Sequence, residues 1–128
     1  MRVGLRAFKT KPIARFAERE GIADAALCDA VRRVERGSID ADLGGGVLKQ
    51  RIARKGQGRS GGFRAILLSR RSERCFFVFG FAKSSRDNLR RDELKAFRLL
   101  ADEMLGMDEA GLRAVLSNGT ITEVIWHG

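Results

Sequence analysis

Basic side chains are concentrated in one third of the chain, where they could bind a polyanion and stabilise charge that develops on it. The chain has 128 residues and a net charge of +9, yet residues 47–91 alone carry 13 basic residues against two acidic ones, a net charge of +11. A positive field of this density attracts polyanions and speeds their encounter with a protein. Nucleic acid is therefore the leading candidate partner, and acidic proteins, anionic membrane surfaces and a merely solvated face are the alternatives.

Two of these cations have an ordered arrangement. Lys49 and Arg51 alternate with Leu48 and Ile52 in a segment typical of a β-strand, Val47 to Ala53. Because successive side chains of a strand point to opposite faces of a sheet, Lys49 and Arg51 should leave the same face side by side. The pattern predicts a basic face on a sheet.

A glycine-rich segment follows, and residues 56–61 match the pattern GxGxxG. A dinucleotide site needs a helix after the last glycine, whereas residues 63–68 read as a strand; a P-loop needs Lys and Ser or Thr where Gly62 and Phe63 stand. A hairpin turn and a loop that approaches a phosphate chain remain, and the two are compatible. In the second case the neighbouring cations would neutralise the phosphates: Arg54, Lys55 and Arg59.

Several classes of site and location are excluded by composition. Cys28 and Cys75 have no CxxC spacing and no histidine nearby, which argues against a disulfide framework or a zinc site. The chain has no Tyr, and its one histidine, His127, is next to the last residue, so chemistry built on a central histidine is excluded. No apolar run is long enough for a membrane span or a signal peptide, and we expect a cytoplasmic protein.

The elements that must position the basic face follow from periodicity and from capping residues. A helix from Pro12 to before Gly21 and a second from an N-cap at Asp24 to about Arg36 form a hairpin. Apolar residues at helical spacing predict a third helix from Asp92 to Leu105, and Asp108 can cap a short fourth helix through Leu116. The predicted strands are Val3 to Lys9, Val47 to Ala53, Phe63 to Arg70 and Arg74 to Ala82, and residues 120–126 are a final strand or a tail.

This order of elements predicts one α+β domain. The N-terminal strand and helix hairpin pack on an antiparallel sheet, because the segments around the hairpins are too short for parallel crossovers. Residues 74–82 are apolar on both faces, which is typical of a central strand, and core packing rather than base stacking explains most of the phenylalanines in this segment.

The motif residues resemble those of a known family. Residues 48–64 read LxxRxAxxGxGxxGGxR with x in place of the variable positions, and after a hydrophobic strand residues 81–89 read FAKxxxDNL. This pattern resembles the HigB branch of the RelE/ParE toxins, which are the toxic halves of bacterial type II toxin–antitoxin pairs. The resemblance covers about residues 1–105, a RelE/HigB-like toxin domain, and residues 106–128 would be a C-terminal helix and tail extension of it.

The resemblance implies a RelE-like fold and cleavage of mRNA, usually in the ribosomal A site, without metal or other cofactor. It implies a cluster of basic side chains on the concave face of the sheet. By position in the motif, the catalytic candidates are Lys49, Arg51, Arg64 and Lys83, and Arg86 is a further RNA-binding candidate. Arg64 is the candidate for transition-state stabilisation. Lys49 or Lys83 is the candidate for proton transfer, because arginine is too basic for that role.

The expected partners are mRNA, the ribosome and a cognate antitoxin, often a helix-turn-helix protein. Relatives that use a Tyr or a His near the last strand differ from this chain, which has neither there. Phe81 or Phe63 could replace a stacking ring, although core packing explains both. The alternative functions are a non-enzymatic toxin that inhibits DNA gyrase, as ParE-like members do, and a plain RNA-binding or ribosome-associated protein.

Overall fold

A computed structural model describes residues 5–53, 62–70, 73–84, 86 and 88–125 of the chain. The first half of the described chain contains β1 (Arg6–Thr10), α1 (Lys11–Glu20), α2 (Asp24–Glu35), β2 (Ala41–Asp42) and β3 (Val47–Ile52). The second half contains β4 (Phe63–Leu68), β5 (Arg74–Ala82), α3 (Arg91–Leu105), α4 (Glu109–Ser117) and β6 (Ile121–Glu123). The predicted α+β class is confirmed, and the structure is consistent with a RelE-like fold.

The described strands form one mixed sheet in the order β2-β3-β4-β5-β1-β6. The pairs β2/β3, β3/β4, β4/β5 and β1/β6 are antiparallel, as predicted, but β1 pairs with β5 in parallel. The prediction of a wholly antiparallel sheet is therefore wrong at this pair. The physical reason is that residues 11–73 lie between the two strands, which is ample for a parallel crossover.

Helices cover both faces of the sheet. On one face, Ile13 and Phe16 of α1 and Leu27 of α2 pack with sheet residues such as Leu67 and Phe77. On the other face, the apolar side of α3 and α4 contacts a second set of buried sheet residues; this cluster contains Phe8, Ile66, Leu68, Phe76, Ala101, Met104 and Leu112. Burial on both sides explains why β4 and β5 are almost continuously apolar, as expected for central strands.

A bulge adjusts β5 to the helix hairpin. The register between β4 and β5 shifts between Ile66 and Leu67, which pair with Phe79 and Phe77. Gly80 follows the bulge, and a Cβ there would lie 2.5 Å from Phe16 Cδ2 and 2.7 Å from Ile13 Cδ1. Glycine therefore allows α1 to approach the sheet more closely than any other residue would.

The helix ends agree with their predicted caps except at α2. Gly21 ends α1 in the left-handed conformation, and the Asp108 carboxylate caps α4 by accepting from Gly111 N at 2.8 Å. The prediction of Asp24 as an N-cap is wrong, because α2 begins at Asp24 and Ala23 occupies the cap position. The Asp24 carboxylate instead accepts from Lys9 Nζ at 2.7 Å and from Ile125 N at 2.8 Å. It therefore ties α2 to β1 and to the C-terminal segment.

Candidate functional site

The register of β3 and β4 brings three of the predicted site residues onto one face of the sheet. Arg51 lies directly opposite Arg64, and Lys49 lies opposite Ile66 one row further along. Val47, Ile66 and Leu68 belong to the core on the α3 side, so strand alternation places Lys49, Arg51 and Arg64 on that side too. We call these three residues the cation cluster; it lies where β3 ends and β4 begins.

An acidic side chain holds two members of the cation cluster. Asp40 precedes β2, and its Oδ2 accepts from Arg64 Nε at 3.2 Å and lies 3.8 Å from Lys49 Nζ. The Arg64 side chain is only 8% exposed, so a charged partner is needed to stabilise its guanidinium away from water. Asp40 stabilises two cations on neighbouring strands from outside the main hairpin.

Asp40 is the residue that sequence reasoning missed. Asp40 lies outside the predicted helices and strands, and a single acidic residue there carries no specific signal. The signal that could have found it is the run of glycines 44–46, which forms the tight turn between β2 and β3 with positive φ at all three positions. Once that turn is recognised, Ala41 pairs with Lys49, and Asp40 falls beside the basic strand.

Arg51 carries an unsatisfied donor. Its Nε is buried and has no hydrogen-bond partner in the described part of the structure, whereas its backbone carbonyl accepts from Arg33 of α2. Like charges directly opposite each other on paired strands repel, so the Arg51 and Arg64 guanidinium groups favour an anion between them. A phosphate bound beside these guanidinium groups would supply negative charge that balances them.

The segment after β5 contributes Asn88 and Lys83. The Asn88 Oδ1 atom accepts from Lys49 Nζ at 3.4 Å, which links the FAKxxxDNL motif to the cation cluster. Lys83 is exposed in the turn after β5, and its backbone N–H donates to Gly62 O at 3.3 Å. The described contacts do not join the Lys83 ammonium group to the cation cluster, although Lys83 lies at the same end of the sheet.

Arg86 is anchored rather than free. Its Nη1 donates to Glu93 Oε2 at 3.1 Å and its Nη2 to Glu93 Oε1, so the pair is bidentate across the start of α3. These bonds, with the Arg90 backbone N–H, lower the pKa of the Glu93 carboxyl to about 2. The guanidinium also lies 5.6 Å from the ring centre of Phe81 and 5.8 Å from that of Phe79. Its charge is balanced within the protein.

The phenylalanines considered for base stacking are core residues. Phe81 is 4% exposed and lies beside Arg64 on β5, and Phe63 is 2% exposed and packs edge-on against Phe16 of α1. Neither ring is available to a base. The predictions for Arg54, Lys55, Arg59 and the glycine segment 56–61 lie outside the described residues.

The chemistry that this arrangement can perform is electrostatic. Within the described ranges, no group of three or more His, Cys, Asp or Glu residues is placed to hold a metal ion. The cation cluster presents fixed positive charge and hydrogen-bond donors, which stabilise an anion and any further negative charge that develops on it. In the same described ranges, no helix is long and apolar enough to cross a membrane.

Comparison with known proteins identifies the family. The sequence matches the family model of the RelE toxin of the RelE/RelB toxin–antitoxin system over residues 5–124. The chain therefore belongs to the RelE toxin family, whose members are paired with a cognate antitoxin. No curated protein sequence matches the chain significantly. The match runs through α3, α4 and β6, beyond the residues that carry the motif resemblance.

Proposed function

We propose that this RelE-family chain is a HigB-like endonuclease that cleaves mRNA on the ribosome and needs no metal ion. The observation that carries the proposal is the cation cluster, in which Lys49, Arg51 and Arg64 share one sheet face and Arg51 Nε is buried without an acceptor. A phosphodiester is an anion of the kind that such a cluster of fixed cations binds.

The reaction that fits these groups is attack of a ribose 2′-OH on the adjacent phosphate. The 2′-O–P bond forms as the P–O5′ bond breaks, and negative charge grows on the phosphorane oxygens and then on the leaving O5′. Fixed cations are worth more to this transition state than to the ground state, so they accelerate cleavage. Arg64 is the candidate for binding the non-bridging oxygens, with Arg51 opposite it.

Proton transfer falls to a lysine in this proposal. The 2′-OH must lose a proton and O5′ must gain one, and the chain has no Tyr and no histidine in its central part. Lys49 belongs to the cation cluster, and Lys83 lies at the same end of the sheet. Both remain candidates, and the ribosome would align the RNA for in-line attack.

The proposed inhibitor of this nuclease activity is a cognate antitoxin that covers the cation cluster. Since residues 47–91 carry a net charge of +11, the covering segment should be acidic. The antitoxin is expected to carry a helix-turn-helix domain, as is frequent among partners of these toxins. The further candidates for contact with RNA are Arg54, Lys55, Arg59 and Arg86.

The test is to induce the chain alone in a bacterium and to map new RNA 5′ ends across translated messages. The unmodified chain should stop growth and produce cuts in register with codons, whereas Arg64→Ala should not. Arg113→Ala is the matched control, because Arg113 is an exposed arginine of α4, and it should behave as the unmodified chain does.

Other outcomes would refute the proposal in distinct ways. Growth arrest with DNA breaks and without RNA cuts would favour the gyrase-inhibiting function instead. RNA association that is lost gradually with any Lys or Arg substitution, without cleavage, would favour a plain RNA-binding protein.

A further inference from the structure

We infer that Asp40 is a positioning residue of the RNA-cleaving site: it orients Arg64 for phosphate at the expense of RNA affinity. The inference rests on the proposed function and deepens it, because it assigns a role to an acidic group within a site that must bind a polyanion. A carboxylate there repels the substrate, so its presence calls for a compensating benefit.

Asp40 sets the orientation of the Arg64 side chain. The bond from Arg64 Nε to Asp40 Oδ2 uses one edge of the guanidinium, and Nη1 donates to the Phe63 carbonyl at 3.4 Å. Nη2 has no acceptor among the described residues. Asp40 therefore fixes the plane of the guanidinium and leaves Nη donors for a phosphate.

Asp40 is itself anchored by the buried side-chain amide of Gln50. The Asp40 backbone N–H donates to Gln50 Oε1 at 3.1 Å, and Gln50 Nε2 donates to Ala30 O at 3.2 Å and to Ser38 O at 2.9 Å. Gln50 is 1% exposed on the opposite face of β3. The chain of contacts from α2 through Gln50 and Asp40 to Arg64 fixes the guanidinium relative to the helix hairpin, as preorganised catalysis requires.

Asp40 has opposite effects on RNA binding and on RNA cleavage. Its negative charge lies next to Arg64 and Lys49 and lowers their attraction for RNA in the ground state. Its geometry places Arg64 for the transition state. A variant that removes the charge but keeps the acceptor should bind RNA more tightly, and a variant that keeps the charge but moves it should cleave more slowly.

The experiment compares Asp40→Asn with Asp40→Glu. Asn keeps an oxygen for Arg64 Nε without the charge, whereas Glu keeps the charge but displaces it by one methylene. Both variants keep a side-chain oxygen that can accept from Arg64 Nε, and far-UV circular dichroism verifies that each variant is folded before it is assayed. Asp42→Asn and Asp42→Glu are matched controls, because Asp42 is an exposed carboxylate two residues further on that accepts from Gly44 N of the turn at 2.9 Å.

Two quantities are measured with the full chain: affinity for a 2′-deoxy RNA oligonucleotide that cannot be cleaved, and the single-turnover cleavage rate of mRNA on programmed ribosomes. Asp40→Asn should bind about two- to fivefold more tightly and should cleave within about threefold of the unmodified rate. Asp40→Glu should bind with unchanged affinity and should cleave about tenfold or more slowly, because small displacements at a reacting centre are costly. The Asp42 variants should change neither quantity.

Three outcomes would overturn the inference. If Asp40→Glu cleaves at the unmodified rate, the position of the carboxylate does not matter. If Asp40→Asn loses as much cleavage as Asp40→Glu, the negative charge itself is needed for cleavage, and a correctly placed oxygen acceptor for Arg64 does not suffice. If the unmodified chain cleaves no mRNA while its growth arrest persists, the proposed function fails and the inference fails with it, which distinguishes this case from the first two.

Discussion

Removal of Asp40 should destabilise the protein far more than removal of an exposed carboxylate. Asp40→Ala leaves the Arg64 guanidinium, with an 8% exposed side chain, without a counter-ion. At the observed separation of 3.2 Å and an effective dielectric constant of about 20, the attraction that is lost is about 5 kcal/mol before solvation is counted. Loss of one partner of a buried ion pair costs about 3 kcal/mol net, which corresponds to a fall in Tm of about 10 °C for a chain of this size.

Replacement of Arg64 instead of Asp40 should lower the free energy of unfolding much less. Arg64→Met leaves an Asp40 side chain that is 25% exposed and still has Lys49 Nζ at 3.8 Å, so we expect a loss of about 1 kcal/mol. The double variant Asp40→Ala/Arg64→Met removes both charges, and its stability should return to within about 1 kcal/mol of the unmodified protein.

Urea unfolding followed by circular dichroism measures these differences. Asp29→Ala is the control, because Asp29 pairs with Arg33 at an exposed position of α2 and should cost less than about 0.5 kcal/mol. The reasoning would be refuted if Asp40→Ala cost no more than the control, or if the double variant were as unstable as the sum of the two single variants.

Three further predictions concern other parts of the molecule. Gly80→Ala should lower the free energy of unfolding by about 1–3 kcal/mol, because its Cβ would clash with Phe16; thermal unfolding measures this, and an unchanged Tm would contradict the packing described. The folded-state pKa of Glu93 lies at about 2, below its ordinary value of 4.5, so its pairing with Arg86 stabilises the fold above pH 4.5 and this contribution is lost as the pH falls toward 2. Glu93→Gln should therefore remove about 1 kcal/mol at neutral pH and flatten the acid limb of a stability–pH curve, and equal slopes for the two proteins would contradict this. Burial raises the pKa of the Cys75 thiol, so Ellman's reagent at pH 8 should label Cys75 only in urea, and rapid labelling of the native protein would contradict its burial.

Most of the helices and strands could be predicted because the spacing of apolar residues along each segment is a local property of the sequence. The apolar segment 74–82 coincides with β5, and the helical spacing from Asp92 to Leu105 gives α3, which begins one residue earlier at Arg91. The predicted strand from Phe63 ends at Leu68 rather than Arg70, because its partner strand β3 begins at Val47, which pairs with Leu68. The alternation in residues 47–52 placed Lys49 and Arg51 on one face, where the structure also has them.

Long-range contacts were beyond such patterns. The parallel pairing of β1 with β5 joins residues far apart in sequence, and no local periodicity specifies which strand lies beside which. The contact of Asp40 with the cation cluster depends on the register that the β2/β3 turn gives to these two strands, in which Ala41 pairs with Lys49. The pairing of Arg86 with Glu93 depends on how the start of α3 lies against the segment after β5, which no local pattern specifies.

The position of β1 between β5 and β6 has a consequence for biosynthesis. Arg6 pairs with Arg74 of β5, and Phe8 pairs with Glu123 of β6. The first described strand, β1, therefore gains its pairing partners only after β5 and β6 have been synthesised. Such non-local closure is slow, and it cannot finish while the last strand is still within the ribosome. The strands that carry the cation cluster, β3 and β4, pair with each other and need neither β1 nor β6 for that pairing. A nascent chain therefore exposes its charged strands before β6 can complete the sheet that supports them.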